Sequence, residues 1–208
     1  LGTLGIETLP KYNAEIVKGR ASEIKILSEM LHEKRIGYIA DQIAAMKERQ
    51  RVVLISGPSS SGKTTFAMRL ATHLKLFGTQ TERISMDDYF LDRDDTPLDA
   101  QGLHDYEAVE ALDLDLFNRT VLGLLEEREM EQPVFNFATG KREAEGVTTK
   151  IGKGTVVIIE GIHGLNPKLT FDIPEEMKFR VYVSAIGSML LDEGGERITS
   201  HDTRLVRR

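Results

Sequence analysis

The sequence contains no cysteine. Disulfides and thiolate metal sites are therefore excluded, and a reducing cytoplasmic compartment is the simplest home. No apolar run approaches the roughly 18 residues that a membrane helix needs. Leu1 is followed by neither a basic n-region nor a signal-type apolar segment, so no export signal is read and no membrane partner is expected. An excess of basic residues is also missing, since the formal net charge is −6. Proteins that live on a nucleic-acid backbone are usually basic, so no nucleic-acid partner is expected. The five histidines show no metal-ligand spacing. Internal repeats and low-complexity tracts are absent.

What is present fits one globular domain of ordinary size. The 208 residues are 40% hydrophobic and 29% charged, with length enough for a sizeable core. Residues 1–20 give weak signals. Residues 21–49 read as helical, with Ile24, Leu27, Leu31, Ile39 and Ile43 at roughly helical spacing and a break expected near Gly37. From Val52 onward, short apolar runs alternate with helices. "VVLIS" leads to a helix reaching Phe77 with Gly78 as its C-cap, then come "RISM", a helical stretch at 107–130, "TVVIIEG" and "FRVYVSA". That order predicts a mainly parallel sheet covered on both faces. Residues 133–151, "PVFNFATGKREAEGVTTKI", read as an inserted β-hairpin. The chain stops in "DTRLVRR", inside what reads as a helix. It is expected to be part of a longer protein, with a helical linker region at 1–49 and a catalytic domain at 50–208.

The most informative stretch is "VVLISGPSSSGKTTFA". Gly57, Gly62, Lys63 and Thr64 have P-loop spacing. Glycines let the backbone turn back so that several N–H groups face one cavity. The small Ser59, Ser60 and Ser61 leave that cavity open, and the N-terminus of the next helix, through Thr64 and Thr65, adds partial positive charge. Lys63 is expected on the β- and γ-phosphates, and the Thr64 hydroxyl on a Mg²⁺ ion. The spacing alone arises by chance in on the order of one chain in a hundred of this length. A buried-type strand before it and an amphipathic helix after it make the reading specific.

Three kinds of P-loop protein compete. A switch GTPase needs an Asn-Lys-x-Asp guanine reader, which is missing, and no apolar strand leads into "DAQG" at 99–102. A mechanical ATPase usually ends its second catalytic strand with two acids, whereas "VVIIEG" offers Glu160 alone. A small-molecule kinase needs a carboxylate near the phosphate site to deprotonate an acceptor hydroxyl. "RISMDDYF" supplies Asp87 and Asp88 just past a strand, where ligands of parallel sheets bind.

"GPSSSGKTTFA", "ISMDDYF", "DYEAVEALD", "PVFNFATGKR", "VVIIEGIHGLN" and "DTRLVRR" occur in an order that resembles the uridine kinase and phosphoribulokinase family over roughly residues 50–208. The likeness extends to a bacterial uridine kinase-like group in which a tRNA-synthetase-like segment precedes the kinase. The resemblance implies a P-loop NTPase fold, a three-layer α/β/α sandwich with a mainly parallel sheet and an inserted hairpin. It implies ATP and Mg²⁺ as cofactors and a nucleoside-like small molecule as acceptor. Asp87 matches the acceptor base and a water-mediated Mg²⁺ contact, Glu160 the acid at the end of the Walker B-like strand, and Glu107 a carboxylate on the ribose hydroxyls. Phe135 and Arg142 fall in the substrate-binding hairpin. Arg204 and Arg207 match arginines that face the phosphates beside a lid expected after Arg208.

Plainer readings stand beside these. Asp87 is also placed to cap a helix, Asp88 to be solvated or capping, and Glu107 to be a first-turn acid. Arg204 and Arg207 also read as surface charges, and Phe135 and Phe137 as hairpin core. The eight acids between 87 and 107 read as a solvated loop, because Pro97 and Leu103 stand where a calcium loop needs glycine and glutamate. In pyrimidine nucleoside kinases of the family a tyrosine and a histidine read the base. The matching positions here are Phe135 and Gly140, which leaves the acceptor open between a nucleoside and a phosphorylated sugar or other small metabolite. A regulatory nucleotide-binding module with a vestigial site is the alternative from another class, and the sequence leaves self-assembly into a homo-oligomer open.

Overall fold

The computed structural model describes residues 5–46 and 51–184. Its centre is a four-stranded parallel sheet of β1 (Val52–Ser56), β2 (Thr81–Ser85), β7 (Val156–Glu160) and β8 (Lys178–Tyr182), in the order β2-β7-β1-β8. All five residues of β1 are buried. Successive side chains of a strand face opposite ways, so a strand covered on both faces reads as a continuous apolar run. Val52 and Leu54 enter one core with Val157, Ile159 and α4 (Leu114–Leu125). Val53 and Ile55 enter a second core with Val156, Ile158, α3 (Lys63–Leu76) and part of α2 (Ala21–Met46). The three-layer α/β/α arrangement expected from the sequence is therefore the observed one.

Three local expectations change. Residues 21–46 form one helix that runs through Gly37. A glycine inside a helix costs about 1 kcal/mol relative to alanine. Burial of Ile36, Ala40 and Ile43 in the second core offsets it. A Cβ at Gly37 would lie 3.5 Å from the His73 ring of α3, so the glycine position faces the neighbouring helix closely. Residues 107–130 are not one helix. Asp105 accepts from the Glu107 and Ala108 N–H groups, a 3₁₀ turn covers Val109–Ala111, and α4 starts only after Asp113, which caps the Leu116 N–H at 2.9 Å. Helix α4 then ends before Glu127, whose φ of 62° is left-handed. Helix α3 stops at Leu76, and Phe77 is its half-exposed C-cap, whereas Phe66, Leu70 and Leu74 are buried. Gly78 does end α3 in the left-handed conformation, its N–H on the Lys75 carbonyl.

The inserted segment is a nested antiparallel hairpin. β3 (Met130–Gln132) pairs with β6 (Val147–Thr149), and within it β4 (Phe135–Asn136) pairs with β5 (Lys141–Arg142). The tip is set by Asn136, whose side-chain oxygen accepts from the Ala138 and Thr139 N–H groups. The second half of α2 shares the core of the sheet, so residues 36–43 belong structurally with the α/β layers. Among the described residues, no helix is long and apolar enough to cross a membrane.

Candidate active site

The carboxyl ends of β1, β2 and β7 meet on one edge of the sheet. After β1 the chain enters Gly57, which is buried, and a Cβ there would collide with the Val183 carbonyl beyond β8. Only glycine fits this approach of two backbones. Ser60 is left-handed at φ 59°, and Gly62 is the left-handed N-cap of α3 at φ 93°. Gly62 has no side chain with which to cap the first-turn N–H groups. The first turn of α3 is thus left to serve as an anion site. Ser60, Gly62, Lys63, Thr64 and Thr65 line a recess of about 260 Å³ there. Ser61 is buried in the loop, and its hydroxyl has no partner among the described residues. Lys63 Nζ donates to the Pro58 carbonyl at 3.1 Å, across the mouth of the loop.

Thr64 and Glu160 come together. The Thr64 hydroxyl donates to Glu160 Oε1 at 2.8 Å. A hydroxyl beside a carboxylate at a phosphate recess is a hard oxygen set suited to Mg²⁺. The residues present therefore fit a Mg-nucleotide.

Asp87 and Asp88 lie in a 3₁₀ turn, Met86–Tyr89, directly after β2. Asp87 does not cap this turn. Ser85 does, its hydroxyl accepting from the Asp87 N–H at 3.3 Å. Asp87 is exposed, yet enough protein surrounds its carboxyl to desolvate it in part. Desolvation raises its pKa, the nearby Glu160 raises it further, Lys63 opposes, and Asp88 adds a smaller upward push. Asp87 is thus electrostatically coupled to both the P-loop lysine and the β7 acid. Asp88 is half-buried and does not cap the turn. Its Oδ1 accepts from the Phe135 N–H at 3.4 Å and fastens the hairpin to the turn, while burial raises its pKa against that hydrogen bond.

Beyond this turn, Phe90, Leu91, Arg93, Tyr106, Phe135 and Phe137 line a cavity of about 350 Å³. Phe135 sits 5.8 Å from Phe90 and 5.1 Å from Phe137, centroid to centroid. It is both buried core and cavity wall, whereas Phe137 is largely exposed. Glu107 is exposed on the loop before α4, and His163, just past β7, lies close to it. Burial lowers the His163 pKa, against the Glu107 backbone carbonyl and the acids at 110, 107 and 105.

Arg142, expected at the acceptor, has its guanidinium turned to the protein instead. Nε donates to the Phe90 carbonyl at 3.0 Å, Nη2 to the Tyr89 carbonyl at 3.2 Å and Nη1 to Asp113 Oδ2 at 3.0 Å. It straps the hairpin to the turn that carries Asp87. Arg204 and Arg207 lie outside the described residues. Sequence reasoning missed Phe90, Tyr106 and Arg93 as cavity walls. Arg93 stands among Asp92, Asp94 and Asp95 and reads as one charge of a solvated loop.

Residues 52–193 match the model of the phosphoribulokinase / uridine kinase family. A uridine kinase of Ligilactobacillus salivarius is 27% identical over 165 residues, covering 79% of this chain and 68% of the relative. A uridine kinase of Lactobacillus helveticus is 28% identical over 164 residues, covering 77% of this chain and 67% of the relative. Among solved structures, one described as a "possible uridine kinase" from Bacillus stearothermophilus superposes with a TM-score of 0.57 at 21% identity. It covers 83% of this chain and 91% of its own, and shows the likeness of fold.

Proposed function

The chain belongs to the phosphoribulokinase / uridine kinase family and is a phosphotransferase with a hydroxyl acceptor, and we propose that this hydroxyl is the 5′-hydroxyl of a nucleoside, with Mg-ATP as donor. The observation that carries this reading is the meeting of the P-loop, the Thr64–Glu160 pair and the turn bearing Asp87 at one end of the sheet, next to an aromatic cavity of about 350 Å³.

The roles follow from the chemistry of each group. First-turn N–H groups of α3 and the Lys63 ammonium bind the β- and γ-phosphates. Thr64 and Glu160 hold Mg²⁺, which supplies charge neutralisation on the transferring phosphoryl group. The aromatic walls seat a planar base, and Glu107 accepts from the ribose hydroxyls. Asp87 accepts the proton of the acceptor hydroxyl as its oxygen bonds to the γ-phosphorus. The bond from that phosphorus to the β,γ-bridging oxygen breaks, and ADP leaves with the electron pair. A raised pKa suits this role, because a stronger base takes the proton more readily at neutral pH. Arg204 and Arg207 are assigned to the equatorial phosphate oxygens on the family pattern.

The test is incubation of the full-length protein with Mg-ATP and a panel of nucleosides and sugars, with ADP measured. ADP release that depends on a nucleoside and yields its 5′-monophosphate supports the reading. Release that depends on a sugar or a phosphorylated sugar moves the acceptor class. Hydrolysis indifferent to every acceptor sinks the nucleoside reading.

A further inference from the structure

Gly140 lies at the tip of the hairpin, at φ +71°. The space above its α-carbon is filled by another side chain. A Cβ built at Gly140 would collide with Cδ and Nε of Arg93 and lie 2.6 Å from its Cγ. Two hydrogen bonds fix the arginine there. Its backbone N–H donates to the Gly140 carbonyl at 3.0 Å, and its Nη2 donates to the Phe137 carbonyl at 2.7 Å. The side chain that reaches the aromatic cavity from this corner therefore comes from the acidic loop and not from the hairpin. Arg93 is the one charged residue among the six that line the cavity. Although Asp92, Asp94 and Asp95 flank it, no carboxylate pairs with it among the described residues. Asp92 Oδ1 is taken by the Arg142 N–H at 3.0 Å.

A guanidinium only donates hydrogen bonds, and it cannot be deprotonated in a protein. Its planar fork suits two adjacent acceptors. A polar group fixed at the wall of a mostly apolar cavity discriminates by leaving a mismatched partner unpaired. We propose that Arg93 is a specificity-determining residue of the acceptor cavity, and that it selects acceptors presenting two adjacent hydrogen-bond acceptors. Cytosine offers that edge through N3 and O2. Uracil interrupts it, because its N3 carries a hydrogen that would face a donor. The inference rests on the nucleoside reading above and adds an order of preference, cytidine over uridine, set by a residue outside the hairpin.

The experiment compares full-length wild type with Arg93→Met and Arg93→Lys. Cytidine and uridine are the probes, both in calorimetric binding with a non-hydrolysable ATP analogue present and in acceptor-dependent ADP release. Hydrogen bonds from a charged group are worth enough for a discrimination of about tenfold or more. Wild type should favour cytidine by that factor. Arg93→Met should lose the preference mainly through KM for cytidine, with kcat far less affected. Arg93→Lys keeps the charge without the fork and should recover only part of the preference. Thermal unfolding of each variant separates loss of folding from loss of selectivity. Equal use of the two nucleosides by wild type, or a preference that survives in Arg93→Met, overturns the role of Arg93 and leaves the nucleoside reading standing. If neither nucleoside binds or promotes ADP release while the ATP analogue binds, the nucleoside reading fails and this selectivity fails with it.

Discussion

The Thr64 hydroxyl and Glu160 Oε1 stand 2.8 Å apart across 96 positions of chain. One residue lies in the first turn of the helix after β1 and the other ends β7, and the parallel register that sets Ile55 beside Glu160 brings them together. In Glu160→Gln the side-chain shape remains and the charge goes. The Mg²⁺ concentration for half-maximal rate should rise about tenfold or more, since a charged oxygen ligand for a hard cation is lost. A titration of rate against Mg²⁺ at fixed ATP checks this. An unchanged midpoint would remove Glu160 from the metal shell.

Lys63 closes over the P-loop onto the Pro58 carbonyl. Lys63→Ala should weaken ATP binding sharply or abolish turnover while the melting temperature stays close to that of wild type. The lysine contributes no core area, so a large loss of stability would point to a structural role instead. Calorimetric ATP binding and a thermal melt on the same preparation decide between the two.

Asp87→Asn keeps the side-chain volume and removes the proton acceptor. Loss of a general base typically costs about 10²–10⁴ in rate, or roughly 3–5.5 kcal/mol of barrier. ATP binding should survive better than turnover. Near-normal turnover would transfer the role to another group, with Asp88 hindered by its bond to the Phe135 N–H.

The raised Asp87 pKa has a signed consequence. The fold holds this proton more tightly than the unfolded chain does, whose aspartates titrate near about 3.9. The stabilisation is full below that value and is lost as pH rises through the folded pKa. Desolvation and Glu160 oppose ionisation of this group, so at pH values above its folded pKa Asp87→Asn should be at least as stable as wild type. Carboxyl NMR titration should place Asp87 above the ordinary aspartate value. The shift should shrink in Glu160→Gln and grow in Lys63→Met. A titration at the ordinary value would remove the electrostatic coupling.

Arg142 bonds to the Phe90 and Tyr89 carbonyls and to Asp113. Arg142→Ala leaves these acceptors without their donor and should cost about 1.5–3 kcal/mol. For a chain of this size that is a fall in melting temperature of roughly 3–12 °C. If Arg142 instead touches the acceptor, KM should rise with the melting temperature unchanged.

The parts whose physics is local were legible in the chain. Five apolar residues followed by a Gly-rich loop, Lys63 and Thr64 encode a buried strand and a phosphate cradle, because backbone conformation and side-chain size there are set by neighbouring residues. Alternating apolar runs and helices encoded the layered sheet in the same way. Tertiary structure decided what depends on residues far apart. Gly37 stays inside a helix because Ile36, Ala40 and Ile43 are buried against the sheet layers, and no local propensity carries that burial. Asp88 and Arg142 became fasteners of the hairpin because their partners lie some 50 positions away, at Phe135 and at Phe90. Arg93 was hidden among aspartates in the chain. It became the charged wall of an aromatic cavity only when the hairpin tip, with no side chain at Gly140, folded beneath it.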